Sequence, residues 1–298
     1  MNRVIFISMC MWPLLQGMEI VEKPVPQVVD WDAHAYAKGN HQQEKVSLVM
    51  LAESGIDLYA KKFLDVGCGT GNISKKLLAL GALEVLGVDA SPAMIAYAKE
   101  HYEQTTSNLE FKQSLIEQFE TDKKYDCAVS FNCLQWVKDK PEAFKKISKS
   151  LCLQGEFFGN IVSGSNPLSL GYKVMFEVLS KLKNSNERCF ANVAVPSFLD
   201  SLHPDDNAIK KMISDAGLLL RSYTTQMFDM VFNNREEVEN MYRPLAYIHT
   251  LLQSLTQEDK EFFLHEYVTA LLSQSTHNSN GTYTVPLGYC AIIHAVKQ

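Results

Sequence analysis

The chain has 298 residues, 46% of them hydrophobic, and a formal net charge of −6 with both signs interspersed. That is enough apolar material for one large domain, or one domain with a cap, and the absence of a basic stripe argues against a nucleic-acid partner. The seven cysteines (Cys10, Cys68, Cys127, Cys133, Cys152, Cys189 and Cys290) make no C-x-x-C pair. This argues against a zinc site or any other metal centre and against a secreted disulfide framework, and it points to a reducing, cytoplasmic setting.

Met1 to Leu15 carries Arg3 and a short apolar run broken by Ser8 and Pro13. It is too short to span a bilayer, and its weak likeness to a signal peptide lacks a small-residue cleavage site. No membrane association is expected, and a start at Met18 is as plausible as one at Met1. Residues 1–30, with Pro24 and Pro26, read as a loose lead. From Asp32 to Ser54 an apolar stripe (Val46, Leu48, Val49, Leu51, Ala52) predicts a helix.

Strands are predicted at about 62–66, 84–89, 109–113, 125–131 and 156–162. Helices are predicted between them at about 71–80, 91–103 (capped by Ser91-Pro92) and 141–151. Alternation of this kind predicts a parallel α/β sheet. Ser163 to Pro167 is turn-rich. Beyond it the pattern predicts helices at 168–183, 207–216, 235–255 and 258–273, and strands at 218–232 and 283–296. The expected domains are a lead (1–30), a nucleoside-cofactor core (31–165), and a substrate-side helical insertion with C-terminal strands of the same domain (166–298).

Phe63-Leu-Asp-Val-Gly-Cys-Gly-Thr-Gly71 followed by Leu86-Gly-Val-Asp89 is the most informative stretch. A strand runs into a loop of three glycines, then come a helix and a second strand ending in an acid. Glycines admit close ligand approach, and an acid about 20 residues on accepts ribose hydroxyls. A dinucleotide fingerprint would place a third glycine where Asn72 stands. Asp65, leading the loop, opposes a pyrophosphate and suits the ammonium of an amino-acid moiety. No P-loop occurs.

Asp65 to Gly71 with Asp89 resembles motifs I and II of the class I S-adenosylmethionine-dependent methyltransferases. The resemblance implies a Rossmann-like, seven-stranded, mostly parallel sheet with helices on both faces, an antiparallel last strand and a helical insertion before it. It implies S-adenosylmethionine as cofactor, held by Asp65, Gly67, Cys68, Gly69, Gly71, Asp89, Ala90, Ile116 and Asn132. Cys68 reads as a small packing residue rather than a nucleophile. The family often carries an acid after strand 3 for the adenine amino group, but this chain has Leu115 there. Adenine is then expected on the Ile116 N–H and apolar walls, with Ser114 or Glu117 as substitutes.

Phe131-Asn-Cys-Leu-Gln-Trp-Val137 and the earlier Ala35-Tyr-Ala-Lys-Gly-Asn-His-Gln-Gln43 narrow the resemblance. They are similar to the trans-aconitate and juvenile hormone acid carboxyl methyltransferases and the malonyl-carrier-protein methyltransferases. The similarity covers residues 31–165 well and the rest in outline. It implies that Gln135 and Trp136 position the substrate and that Trp31, Tyr36 and Gln42 or Gln43 form a lid. It implies a small-molecule acceptor, a carboxylic acid first of all.

A carboxylate is ionised at neutral pH, so orientation and a dry pocket would supply most of the catalysis. Arg243, with Tyr242, Tyr247 and His249, is the candidate grip for that acid, with a solvated helix face as the plain alternative. Met227, Phe228, Met230 and Phe232 are either an acyl pocket or core. Lysines 138, 140, 145, 146 and 149 suggest a rim for a carrier protein. A nitrogen or carbon acceptor, or a non-catalytic cofactor-binding partner protein, are the alternatives kept open.

Overall fold

The computed structural model describes residues 20–21, 31–103, 107–163, 170–185, 190, 193, 195–196, 204–245, 252 and 255–298. Helices α1 (Ala33–Gly39) and α2 (His41–Glu53) precede β1 (Lys62–Val66), α3 (Asn72–Ala79), β2 (Glu84–Asp89), α4 (Pro92–Tyr102) and β3 (Leu109–Gln113). Then come β4 (Tyr125–Ser130), α5 (Lys140–Ser150), β5 (Leu151–Val162), α6 (Leu170–Asn184), α7 (Asp206–Asp215) and β6 (Leu218–Phe232). The chain closes with α8 (Arg235–Tyr242), α9 (Gln257–Ser273) and β7 (Tyr283–Lys297).

The main sheet runs β3-β2-β1-β4-β5-β7-β6. The first five strands are parallel, and β7 is antiparallel to both β5 and β6. The order reverses between β1 and β4, which creates the crevice at the carboxyl ends of the strands where ligands bind in open α/β sheets. The seven-stranded expectation is corrected in two details. A two-residue strand, Thr276–His277, adds to β7 as an eighth, and Ile20–Val21 pairs with Val195–Pro196 in a separate small sheet.

The helices begin where side chains satisfy their first N–H groups. Ser91 accepts from the Met94 N–H before α4, with Pro92 opening the helix. Asp139 accepts from Glu142 before α5, and Thr256 accepts from Asp259 before α9. The single helix expected over 32–54 is two, because Asn40 leaves helical backbone between α1 and α2. The helix expected over 235–255 ends at Tyr242, one residue before Arg243-Pro244; proline cannot extend a helix and constrains the residue before it.

Alternate residues of the buried strands feed two cores. Leu64, Val66, Ala128 and Phe157 face α5 and α7; Phe63, Cys127, Val129 and Phe158 face α2, α3 and α4. A third core lies in the insertion, where α6 and α9 bury Phe176, Leu179, Phe263 and Tyr267 with Met230 and Phe232 of β6. Met230 and Phe232 are therefore core, Phe228 belongs to the core under α2, and Met227 is on the surface. Arg235 ties α8 to α9 through Thr269 Oγ1 and the His265 carbonyl.

Gly71 combines a φ of +84° with tight surroundings: a Cβ there would stand 2.6 Å from Phe111 Cζ. Gly217 has a similar φ of +75° with nothing within 4 Å. Gly71→Ala is expected to lower the unfolding free energy by about 2–4 kcal/mol, since left-handed strain and overpacking add. Gly217→Ala should cost only the strain, about 1–2 kcal/mol. Urea unfolding of the two variants measures the difference, and equal losses would mean that Phe111 yields freely.

Candidate active site

The site forms at the carboxyl edge of β1, β2 and β4, where the glycine loop crosses the sheet. The N–H groups of Gly67 and Cys68 both donate to the Val88 carbonyl, at 2.7 and 3.1 Å, which pins the loop to β2. Asp89 at the tip of β2 closes the arrangement. One carboxylate oxygen accepts from the Gly69 N–H at 2.9 Å and the other from the Ser91 N–H at 2.9 Å. Burial raises the pKa of Asp89, and these backbone hydrogen bonds oppose the rise. Ala90 follows on the rim, and its carbonyl accepts from Gln113 Nε2.

Asp65 lies deeper than its sequence position suggested. It is 2% exposed, and Ser74 of α3 donates to Oδ2 at 2.6 Å. Desolvation pushes its pKa up to about 7. Gly67 has a φ of +73° and packs on Cys133, whose Sγ lies 2.1 Å from where a Cβ would stand. The Cys68 and Cys133 thiols are both driven upward by burial and the nearby carboxylates, so both are neutral and neither is an activated nucleophile.

Tyr36 of α1 lies over this loop, with Cε1 3.8 Å from the Cβ position of Gly69. Its hydroxyl donates to Gln43 Oε1 at 3.1 Å, and burial pushes its pKa up to about 12, so it stays a neutral phenol. Trp31 meets Tyr36 edge-on at 5.4 Å and Trp136 at 6.2 Å between ring centroids. The rings from the N-terminal helix and from the turn after β4 thus form one aromatic wall. Helix α1 is held on both sides. His34 packs edge-on against Tyr97 of α4, and the Asn240 carbonyl oxygen lies 2.1 Å from the Cβ position of Gly39, so α1 and α8 meet backbone to backbone.

The remaining expected residues divide. Gln135 is 6% exposed, and its Oε1 has no hydrogen-bond partner among the described residues. Ile116 opens a 3₁₀ turn, so its N–H lies outside that turn's own hydrogen bonds. Leu115 lines a groove of about 390 Å³ with Glu117, Gln118, Lys138, Asp139 and Pro141. Asn132 sits in the left-handed region at φ +53°. Its side-chain amide is engaged within the protein: Oδ1 accepts from Asn160 Nδ2 and Nδ2 donates to Ser47 Oγ.

Arg243 pairs with Glu261 of α9 at the exposed α8–α9 surface, and this partner raises its pKa. Tyr247 and His249 lie outside the described residues. Lys145 and Lys146 pair with Glu142 and Glu120, and Lys140 is buried and donates to the Val137 carbonyl, so two of the five lysines already have a carboxylate partner.

Asn40 escaped sequence reasoning, as a buried residue between two helices whose Oδ1 is unpartnered among the described residues. Asn72 fills the place of the missing third glycine. It accepts from Tyr102 of α4 and donates to Glu44 of α2, which excludes the tight helix–strand packing of a dinucleotide fold.

Residues 63–155 match the sequence family described as "Methyltransferase domain". The malonyl-[acyl-carrier protein] O-methyltransferase of Acetivibrio thermocellus is 35% identical over 125 residues, 41% of this chain and 42% of that protein. The ubiquinone biosynthesis O-methyltransferase of Aliivibrio fischeri is 31% identical over 130 residues, 43% of this chain and 55% of that one. The chain thus spans about half the length of the curated relatives it matches. Among solved structures, phosphoethanolamine N-methyltransferase 2 of Haemonchus contortus, in complex with S-adenosyl-L-methionine, superposes with a TM-score of 0.56 at 18% identity. The match covers 89% of this chain and 56% of that one. Residues 63–155 thus match a methyltransferase domain, and the fold around them is shared with the N-methyltransferase structure.

Asp65 gives the site a pH signature. Its pKa rises from 3.8 to about 7 on folding, so between these values the unfolded chain has lost a proton that the native protein keeps. Its contribution to stability therefore falls as pH rises through that window and levels off above it. Asp65→Asn should flatten the slope between about pH 4 and 7. Denaturant titrations across the window check this, and an unchanged slope would place the titration on another group.

Proposed function

We propose that this protein transfers a methyl group from S-adenosylmethionine to a small-molecule acceptor, most simply a carboxylate oxygen. The observation that carries the reading is Asp89. Its carboxylate is fixed by the Gly69 and Ser91 N–H groups at the tip of β2, under a lid residue, Tyr36, that packs on the same loop. Each oxygen keeps a further lone pair for a ribose hydroxyl. The glycine loop and Asp65 would hold the methionine moiety, and the Ile116 N–H and the apolar surface beside Leu115 would hold adenine. Trp31, Tyr36 and Trp136 would shield the sulfonium, since aromatic faces favour a cation and exclude water.

In this reading the chain's residues bind, orient and desolvate. Bound S-adenosylmethionine would supply the methyl group by in-line displacement, the S–CH3 bond breaking as the O–CH3 bond forms, so that the sulfonium becomes a neutral thioether as the carboxylate becomes a neutral ester. A dry aromatic enclosure favours that cancellation, and alignment supplies the rest. Tyr36, Cys68 and Cys133 stay protonated and need play no part in proton transfer. The carboxylate acceptor rests on the likeness of residues 131–137 to carboxyl methyltransferases and on the malonyl-carrier-protein relative. A free small acid fits better than a carrier-bound one, because two of the lysines that would meet an acidic carrier are already paired.

Calorimetric titration with S-adenosylhomocysteine tests the cofactor site. One-to-one binding is expected, weakened roughly 10- to 100-fold by Asp89→Ala, the loss of charge-assisted hydrogen bonds. Binding should also weaken as pH falls toward the raised pKa of Asp89, since the carboxylate must be ionised to accept two hydroxyls. A well-folded protein that binds nothing would sink the reading. With binding in hand, a panel of small carboxylic acids, phenols and amines decides the acceptor. Trp136→Ala is expected to cut kcat/KM by about 10- to 100-fold with little change in affinity for S-adenosylhomocysteine, which carries no sulfonium.

A further inference from the structure

Polar side chains of the first two helices line up over the site. The Tyr36 hydroxyl donates to Gln43, seven residues on, and Ser47 Oγ donates to the Gln43 carbonyl at 2.8 Å. The two ends of this stripe touch opposite sides of the crevice. Tyr36 packs at Gly69 in the loop after β1, and Ser47 Oγ accepts from Asn132 Nδ2, just beyond β4, at 3.4 Å. Asn40 stands between those ends, one turn after Tyr36, and its N–H donates to the Tyr36 carbonyl at 3.0 Å. It thus lies above the point where the strand order reverses between β1 and β4, the place where open α/β sheets bind ligands.

Asn40 is 7% exposed. Tyr36 has one hydroxyl proton, and Gln43 takes it, so Tyr36 can only accept from Asn40. The contact acts on the phenol as a donor does, opposing the rise that burial causes. The amide therefore turns Nδ2 to Tyr36, and Oδ1 is left buried with no donor among the described residues. A buried acceptor in that state is costly unless a ligand brings the missing donor.

The nearby charges select the kind of donor. Asp89 acts on Tyr36, and Asp89 and Asp65 both act on the Cys68 and Cys133 thiols, in each case raising the pKa. Neither carboxylate has a cationic partner among the described residues: Asp65 takes the Ser74 hydroxyl, and Asp89 takes backbone N–H groups. The potential over the loop is negative, and burial limits its screening. An anionic group is repelled there, and a neutral hydroxyl gains nothing from the charges. A primary ammonium meets both demands, since it brings N–H donors and a positive charge.

We propose, on the cofactor reading above, that Asn40 Oδ1 accepts a hydrogen bond from the ammonium of the cofactor's amino-acid moiety. The junction of the first two helices then reads that group from above the glycine loop, and the same contact holds the helices over the bound cofactor.

Calorimetric titration of the full-length chain with three probes tests this. They are S-adenosylhomocysteine, its analogue with the α-amino group replaced by hydrogen, and its analogue with the carboxylate replaced by hydrogen. Asn40→Leu and the smaller change Asn40→Ala are expected to weaken S-adenosylhomocysteine about 10- to 100-fold, the loss of a hydrogen bond to a charged group. They should weaken the amino-free analogue by no more than about twofold. The carboxylate-free analogue keeps the ammonium and should fall with S-adenosylhomocysteine. Asn40→Asp keeps an acceptor and should retain the wild-type preference for the ammonium. Unchanged affinity, or an equal loss for all three probes, would mean that Asn40 only seats the two helices. A loss that spares the carboxylate-free analogue would mean that the amide grips the carboxylate. Either result overturns the proposal, as does a preference lost in Asn40→Asp. A wild type that binds none of the probes removes the cofactor reading itself and this proposal with it, a result distinct from binding that ignores residue 40.

Discussion

The site depends on one carboxylate. Asp89 ends β2 with both oxygens committed to backbone N–H groups, one from the glycine loop and one from the start of α4. That double anchor turns a flexible glycine loop into a surface of fixed shape and holds a negative group at its centre, partly out of water. Burial raises the cost of the charge and the two N–H groups lower it. In the proposed function, a ligand with vicinal hydroxyls would meet an acceptor that is already oriented, so little ordering would remain to be done on binding.

Around that joint the rest of the protein supplies closure. Helix α1 lies across the loop through Tyr36, leans on α4 through His34 and Tyr97, and touches α8 at Gly39. The helices α6, α8 and α9 pack a core of their own against the outer strands β6 and β7, so α1 is seated between that core and α4. Trp31 and Trp136 pack against that third core as well. The aromatic wall is therefore shared by the cofactor half and the insertion, and a change in either reaches it.

Much of the cofactor half was legible in the sequence because its signals are local. Five strands and their helices lay within a residue or two of expectation, β5 starting earlier, since apolar runs, Ser91-Pro92 and the glycines each act over a few residues. The position of the loop, with Asp89 at the next strand end, was legible for the same reason. Side-chain partners were not. The ion partner of Arg243, Glu261, sits 18 residues on, across a helix pair. The partners of Asn132 are at 47 and 160. Asn40 gave no signal, because an unpartnered oxygen is a property of its surroundings rather than of its residue type.

The sequence by itself determined the α/β unit, its glycine loop and the acid that closes it, because spacing along one strand–turn–helix–strand unit dictates where those groups fall. Only the tertiary structure decided how deep Asp65 lies and which charges are spent on one another. It also decided that Met230 and Phe232 are core while Met227 faces solvent, and that β6 rather than another strand forms the edge. Those outcomes depend on distances between segments far apart in the chain, and hydrophobic pattern and local propensity carry no information about such distances.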